Sequence, residues 1–242
     1  MSATPPPRST PHTALVLIDI QDGFHHPTHW GPSRSNPLFE HNAALLLNTY
    51  RSLVSATAAT AASAPHKLVH VMHSSLSPES PLHASSKGFA LQAFASALPG
   101  ELVMTKSVNS SFIGTDLEAV LREHFAGEPG VLYCAGLSTD HCVSTTVRMA
   151  GNLGVADGVG KAGGPEGGEK GEVVLVEDAT ACWMKPGGLW DAETVHAVHV
   201  ESLREFAAVA GVEEIVELWK GWAEGAAKMK CEAAGRAWRG LK

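Results

Sequence analysis

The sequence of 242 residues predicts an α/β fold, a three-layer αβα sandwich around a parallel sheet, from three observations. Short apolar runs alternate with stretches in which apolar residues recur at spacings of three and four. The runs are nearly continuous, as strands buried on both faces require. The first ends abruptly in an acid and others lead into polar loops, and parallel sheets present ligands beyond the carboxyl ends of their strands. Length and an apolar content of 44% suit one domain with a sizeable core.

Residues 1–12 are proline-rich and polar, the composition of an unpacked leader. Thr13 to Asp19 is the first strand, so Asp19 lies at a strand's carboxyl end. Gln21 to Pro37 holds histidines, prolines and glycines and reads as a long structured loop. From Glu40 to Ala62, the residues Ala43, Leu46, Leu47, Tyr50, Leu53 and Val54 make one helical stripe. Lys67 to His73 is the second strand, followed by a polar loop to His83, and Leu102 to Thr105 is a short third strand leading into Lys106.

Thr115-Asp-Leu-Glu118 has the form of a capping box, with Leu117, Val120, Leu121 and Phe125 as the buried face of the helix it opens. Val131 to Ala135 is the fourth strand, and the segment 154–171 is expected to be a flexible glycine-rich insertion. It is not a phosphate loop, because no strand feeds it. Glu172 to Asp178 is the fifth strand. Ala192 to Ala210 predicts a helix with Val195, Val198, His199, Leu203 and Phe206 inward, and Val212 to Leu218 suits a sixth short strand. The domain is thus expected over 13–218. The tail 219–242, with Trp219, Trp222 and Trp238, reads as a surface helix or a subunit contact.

A formal charge of −7, with no basic cluster before the last twenty residues, argues against a nucleic-acid surface and favours a small-molecule partner. The first residues lack the apolar core of a signal peptide, and no apolar run reaches the ~18 residues that a bilayer span needs. The expectation is a cytoplasmic protein without a membrane partner. Cys134, Cys142, Cys182 and Cys231 show no zinc-ligand spacing, which agrees with a reducing compartment. Thirteen histidines raise the question of a metal, but His25, His26 and His29 suit a solvated loop. Neither metal nor cofactor is expected. His141 is expected to point away along its helix, and His196 and His199 to serve packing or the surface.

Cys142 stands apart from the other thiols. It follows an apolar strand and a tight polar turn, Gly136-Leu-Ser-Thr-Asp-His141, and opens a helix. The free N–H groups and positive dipole end of a helix lower a thiol's pKa from about 8.5, and they receive an oxyanion once the sulfur has attacked a carbonyl. A carboxylate that accepts the thiol proton, and an ammonium that holds the carboxylate, complete such a nucleophile. Asp19 and Lys106 are the candidates, each at a strand's carboxyl end.

Three motifs in this order, Leu17-Ile-Asp19, Lys106 with the Ser-Phe-Ile-Gly-Thr-Asp-Leu run after it, and Gly-Leu-Ser-Thr-Asp-His-Cys142-Val, resemble the isochorismatase-like cysteine hydrolases over roughly residues 13–210. This family includes nicotinamidases and N-carbamoylsarcosine amidohydrolases. The resemblance implies a six-stranded parallel sheet, a triad of Asp19, Lys106 and Cys142, and a cis peptide at Leu137–Ser138 that turns the Ser138 N–H toward the oxyanion beside that of Cys142. It also implies a homo-oligomer. A cysteine at 142 favours the amidase branch over isochorismatases proper, which cleave a vinyl ether without a cysteine nucleophile. Phe24, Trp30, Arg34, Asn36, His73 and Trp183 fall on loops at the same sheet end and are the candidate substrate contacts. The expected activity is hydrolysis of a small carboxamide or carbamoyl compound through a thioester. The rival readings are a silent scaffold, an isochorismatase-type hydrolase of another metabolite, a metal-assisted hydrolase and a redox-sensing cysteine.

Overall fold

In the computed structural model, which describes residues 11–58, 64–160 and 168–239, six parallel strands form one sheet in the order β3-β2-β1-β4-β5-β6. They are β1 (Thr13–Ile18), β2 (His66–His73), β3 (Leu102–Lys106), β4 (Val131–Leu137), β5 (Glu172–Ala181) and β6 (Ala208–Ala210). The helices are α1 (Phe39–Thr57), α2 (Leu117–Phe125), α3 (Ser144–Leu153), α4 (Ala192–Leu203) and α5 (Val212–Arg239). The period of two in β1 shows why its sequence is apolar throughout: Leu15 and Leu17 enter the layer with α1 and α5, while Ala14, Val16 and Ile18 face α2 and α3. Both faces are covered, so no residue of β1 is left for water.

Where β1 and β4 meet, Gly136 has φ +128°, and a Cβ there would lie 2.0 Å from the Ile18 carbonyl oxygen. Only glycine lets the two strands approach so closely directly below Asp19.

Several local expectations are corrected. The helix read as reaching Ala210 ends at Leu203, and the sixth strand is Ala208–Ala210. Val212 to Leu218 is the start of α5, because Val212, Ile215, Val216 and Trp219 fall at helical spacing and are all buried in the α1 layer. The tail is therefore not a surface appendage at this end: Trp219 is fully buried, edge-on to Tyr50 at 4.7 Å and to Tyr133 at 4.9 Å. Trp238 lies where only the backbone of α5 is described. On α4, Leu203 is buried as expected, but Val198 faces solvent and Val200 is buried in its place.

The capping box at Thr115 does not form. Asp116 precedes α2 without a side-chain cap, and the Thr115 hydroxyl accepts the Leu117 N–H while donating to the Ser111 carbonyl. Residues 1–10 of the expected leader and 161–167 of the expected insertion lie outside the described residues. Among the described residues, no helix is long and apolar enough to cross a membrane.

Candidate active site

Asp19, Lys106 and Cys142 come from segments far apart in sequence, and the strand order brings them together. Lys106 ends β3 opposite His73 of β2, Asp19 follows β1, and Cys142 follows β4. These strands are neighbours, so their carboxyl ends converge. Lys106 Nζ donates to Asp19 Oδ2 at 2.6 Å and lies 3.3 Å from both Cys142 Sγ and His73 Nδ1. Polar atoms of Asp19, His73 and Cys142 lie within 4.8 Å of one another. Asp19 sits at φ 52°, a left-handed conformation that is uncommon outside glycine and that turns the chain out of the sheet.

The ion pair is closed to solvent: both side chains are 0% exposed. Burial raises the Asp19 carboxyl above its usual range, and the Lys106 ammonium opposes that rise. Asp19 Oδ1 has no hydrogen-bond partner, which leaves an acceptor free within the cluster. Burial also pushes the Cys142 thiol well up, and the Asp19 charge pushes it further while Lys106 pulls it back. This corrects the expectation of a thiolate stabilised by a helix end. Cys142 lies inside a π-helical turn, Thr139–Val143, that precedes α3, and burial there works against the charged form of the sulfur. The resting sulfur holds its proton, and a base is needed to remove it.

The Leu137–Ser138 peptide is cis. The Ser138 carbonyl accepts from the N–H groups of His141 and Val143, which ties down the turn carrying the cysteine. Above Cys142 opens a cavity of about 530 Å³ whose lining includes Asp19, His73, Ser138 and Cys142. Phe24, Trp30 and Trp183 form one wall, with Phe24 stacked 4.5 Å from Trp30 and 5.3 Å from Trp183. Trp30 Nε1 donates to the Gly23 carbonyl, which fixes the indole.

Four of the six candidate contacts, Phe24, Trp30, His73 and Trp183, thus line the cavity. Arg34 and Asn36 do not. Arg34 is held by a two-pronged ion pair with Glu40 and lies against the Phe39 and Trp183 rings. Asn36 donates its amide to the carbonyls of Asp178 and Thr180, and so fastens the loop to β5. Both are polar groups whose partners are protein. His141, expected to point away, lines the cavity and places Nδ1 3.0 Å from Asp140 Oδ2.

Sequence reasoning missed Asn109, Glu79 and Lys185, all on the lining. Asn109 Oδ1 lies 4.0 Å from Cys142 Sγ, and reading three residues beyond Lys106 would have met it. Glu79 and Lys185 sit on loops that carry no motif. The three loop histidines do not form one cluster: His25 lies near Asp22 and Glu40, while His26 accepts the N–H groups of Thr28 and His29 and meets the His29 ring edge-on at 5.7 Å. Among the described residues, the group with metal-ligating spacing is Asp19, His73 and Cys142, and the Lys106 ammonium lies between them where a cation would sit.

Comparison with known proteins agrees with this architecture. The isochorismatase domain model matches residues 13–214. A Bacillus subtilis protein, the uncharacterized isochorismatase family protein YrdC, is 31% identical over 207 residues, covering 84% of this chain and 94% of its own. The crystal structure of an isochorismatase-family protein from Chromobacterium violaceum is 32% identical, with a TM-score of 0.69 over 91% of this chain and all of that one. A structure described as a cysteine hydrolase, from Pseudomonas syringae pv. phaseolicola, shares the fold at 19% identity and a TM-score of 0.60, covering 89% of this chain and 93% of its own.

Proposed function

This chain belongs to the isochorismatase family, and we propose that within it the protein is an amidohydrolase that cleaves a small carboxamide or carbamoyl compound through a Cys142 thioester. The observation that carries this reading is one ammonium, Lys106 Nζ, in contact with both a buried carboxylate at 2.6 Å and a cysteine sulfur at 3.3 Å, at the floor of a cavity.

Asp19 takes the thiol proton as Cys142 Sγ bonds to the carbonyl carbon, and the carbonyl electrons move onto oxygen. The backbone N–H groups of Ser138 and Cys142 receive that oxyanion. When it collapses, the C–N bond breaks, Asp19 returns the proton to nitrogen, and ammonia or an amine leaves. A water then attacks the thioester while giving a proton to Asp19, the C–S bond breaks, and the proton goes back to sulfur. Lys106 stays charged throughout. It holds Asp19 in place and stabilises the sulfur as negative charge develops. Because the resting thiol is protonated, proton transfer and attack are coupled, and the apolar wall of Phe24, Trp30 and Trp183 excludes the water that would otherwise solvate the nucleophile.

A panel of small amides and ureas assayed for ammonia release, with Cys142→Ala as the blank, tests the reading. Mass spectrometry of the quenched reaction is expected to show an acyl group on Cys142. Turnover that survives the alanine substitution would exclude the covalent route. Absence of turnover across the panel, with no adduct, would favour a binding protein that retains the triad.

A further inference from the structure

The cavity carries a second feature that the hydrolytic steps do not use. Among the described residues, Lys185 is the one lysine or arginine that lines it, since Lys106 is buried beneath the floor and Arg34 is turned to Glu40. Lys185 Nζ is 2.7 Å from Asp140 Oδ2, and the other carboxylate oxygen accepts the Ser138 hydroxyl at 2.7 Å. The two partners differ in what they show to a ligand. The Asp140 side chain is 4% exposed and that of Lys185 is 44% exposed. The negative charge is hidden in the nucleophile's own turn, and the positive one faces the cavity.

We propose that Lys185 forms an anion subsite, taking a carboxylate carried by the substrate at a distance from its scissile amide. An ammonium has three donors, and the contacts to Asp140 and, at 3.5 Å, to His141 Nδ1 leave a third for a ligand. Asp140 is held well below the usual carboxylate range by His141, Lys185 and Ser138, so it stays charged and keeps the lysine in place. The entropy of fixing a long side chain is thereby spent on folding and not on binding. Glu79 lies on the loop after β2 and is exposed, and among the described residues no ion pair joins it to Lys185. Asp140 acts here as a positioning residue.

This inference rests on the hydrolase reading for the identity of the ligand as a substrate, but its test does not need turnover. Cys142→Ala protein is titrated calorimetrically with succinamate and with succinamide, which differ in a carboxylate for a carboxamide. Succinamate is expected to bind at least about tenfold more tightly, the worth of a hydrogen bond to a charged group. Lys185→Gln in the same background keeps a donor for Asp140 while removing the charge, and is expected to abolish the preference; Lys185→Arg is expected to keep most of it. Equal affinities, binding of neither compound, or a preference that survives Lys185→Gln would overturn the subsite. A preserved binding preference with no hydrolysis of either compound by the unsubstituted protein would count against the hydrolase reading and leave the subsite standing.

Discussion

The two ends of the sheet both bury polar groups, yet they differ in what those groups can do. At the amino end, Thr13 Oγ1 meets His66 Nδ1 at 2.7 Å, and the Tyr50 hydroxyl donates to the Thr13 and Lys67 carbonyls. Trp219 of α5 packs edge-on against Tyr50 and closes that end. At the carboxyl end, Asp19 and Lys106 are equally buried, but they carry charge, and Cys142 beside them opens to a cavity. Buried polarity is common to both, and charge with access belongs to one. Unpartnered buried atoms occur at both ends among the described residues, His66 Nε2 and Trp219 Nε1 at one and Asp19 Oδ1 at the other; a charged pair beside a free carboxylate oxygen and a thiol can move a proton.

The largest effect that would break this contrast is at Asp19. Asp19→Asn keeps the shape and removes the base, so kcat is expected to fall by about 10³-fold in an ammonia-release assay. A fall of less than tenfold would make Asp19 merely structural. Lys106→Met leaves the Asp19 charge buried and unpaired, with an expected loss of about 3–5 kcal/mol in denaturant unfolding as well as loss of turnover. Adding Asp19→Asn should recover part of that stability and none of the activity. At the amino end, Trp219→Ala is expected to cost about 3–5 kcal/mol while leaving the turnover of folded protein unchanged. A comparable drop in kcat would show that the two ends are coupled.

A smaller, pH-dependent difference sharpens the same comparison. Burial lowers His66 from 6.5 to about 4, so the unfolded chain binds this proton more readily than the folded one. Its contribution to stability is present above pH 6.5 and is lost as pH falls from 6.5 toward 4. His66→Gln should flatten that part of the stability profile. Asp19 shifts the opposite way. Its raised pKa places the acid limb of kcat/KM above the ordinary carboxylate value of 3.8, because the base must be ionised to accept the thiol proton. An acid limb at or below that value would mean that burial does not govern Asp19.

Five of the six strands were legible in the sequence, because continuous apolar runs such as Thr13 to Ile18 admit few other burials, and Asp19, Lys106 and Cys142 stood out at or beyond strand ends. The sequence also carried the start of α5 in the spacing of Val212, Ile215, Val216 and Trp219, which the expectation of a sixth strand overlooked because β-branched residues cluster there. Only tertiary structure decided which polar loop residues face the cavity. Arg34 and Asn36 looked as suitable as His73, but Glu40 and the carbonyls of Asp178 and Thr180 took their donors. Lys185 looked like an ordinary loop lysine until Asp140 fixed it at the mouth. Tertiary structure likewise decided the protonation of Cys142. Local sequence sets a helix end's dipole, whereas desolvation depends on every chain segment that closes over the sulfur, and that burial is the first cause of the raised thiol.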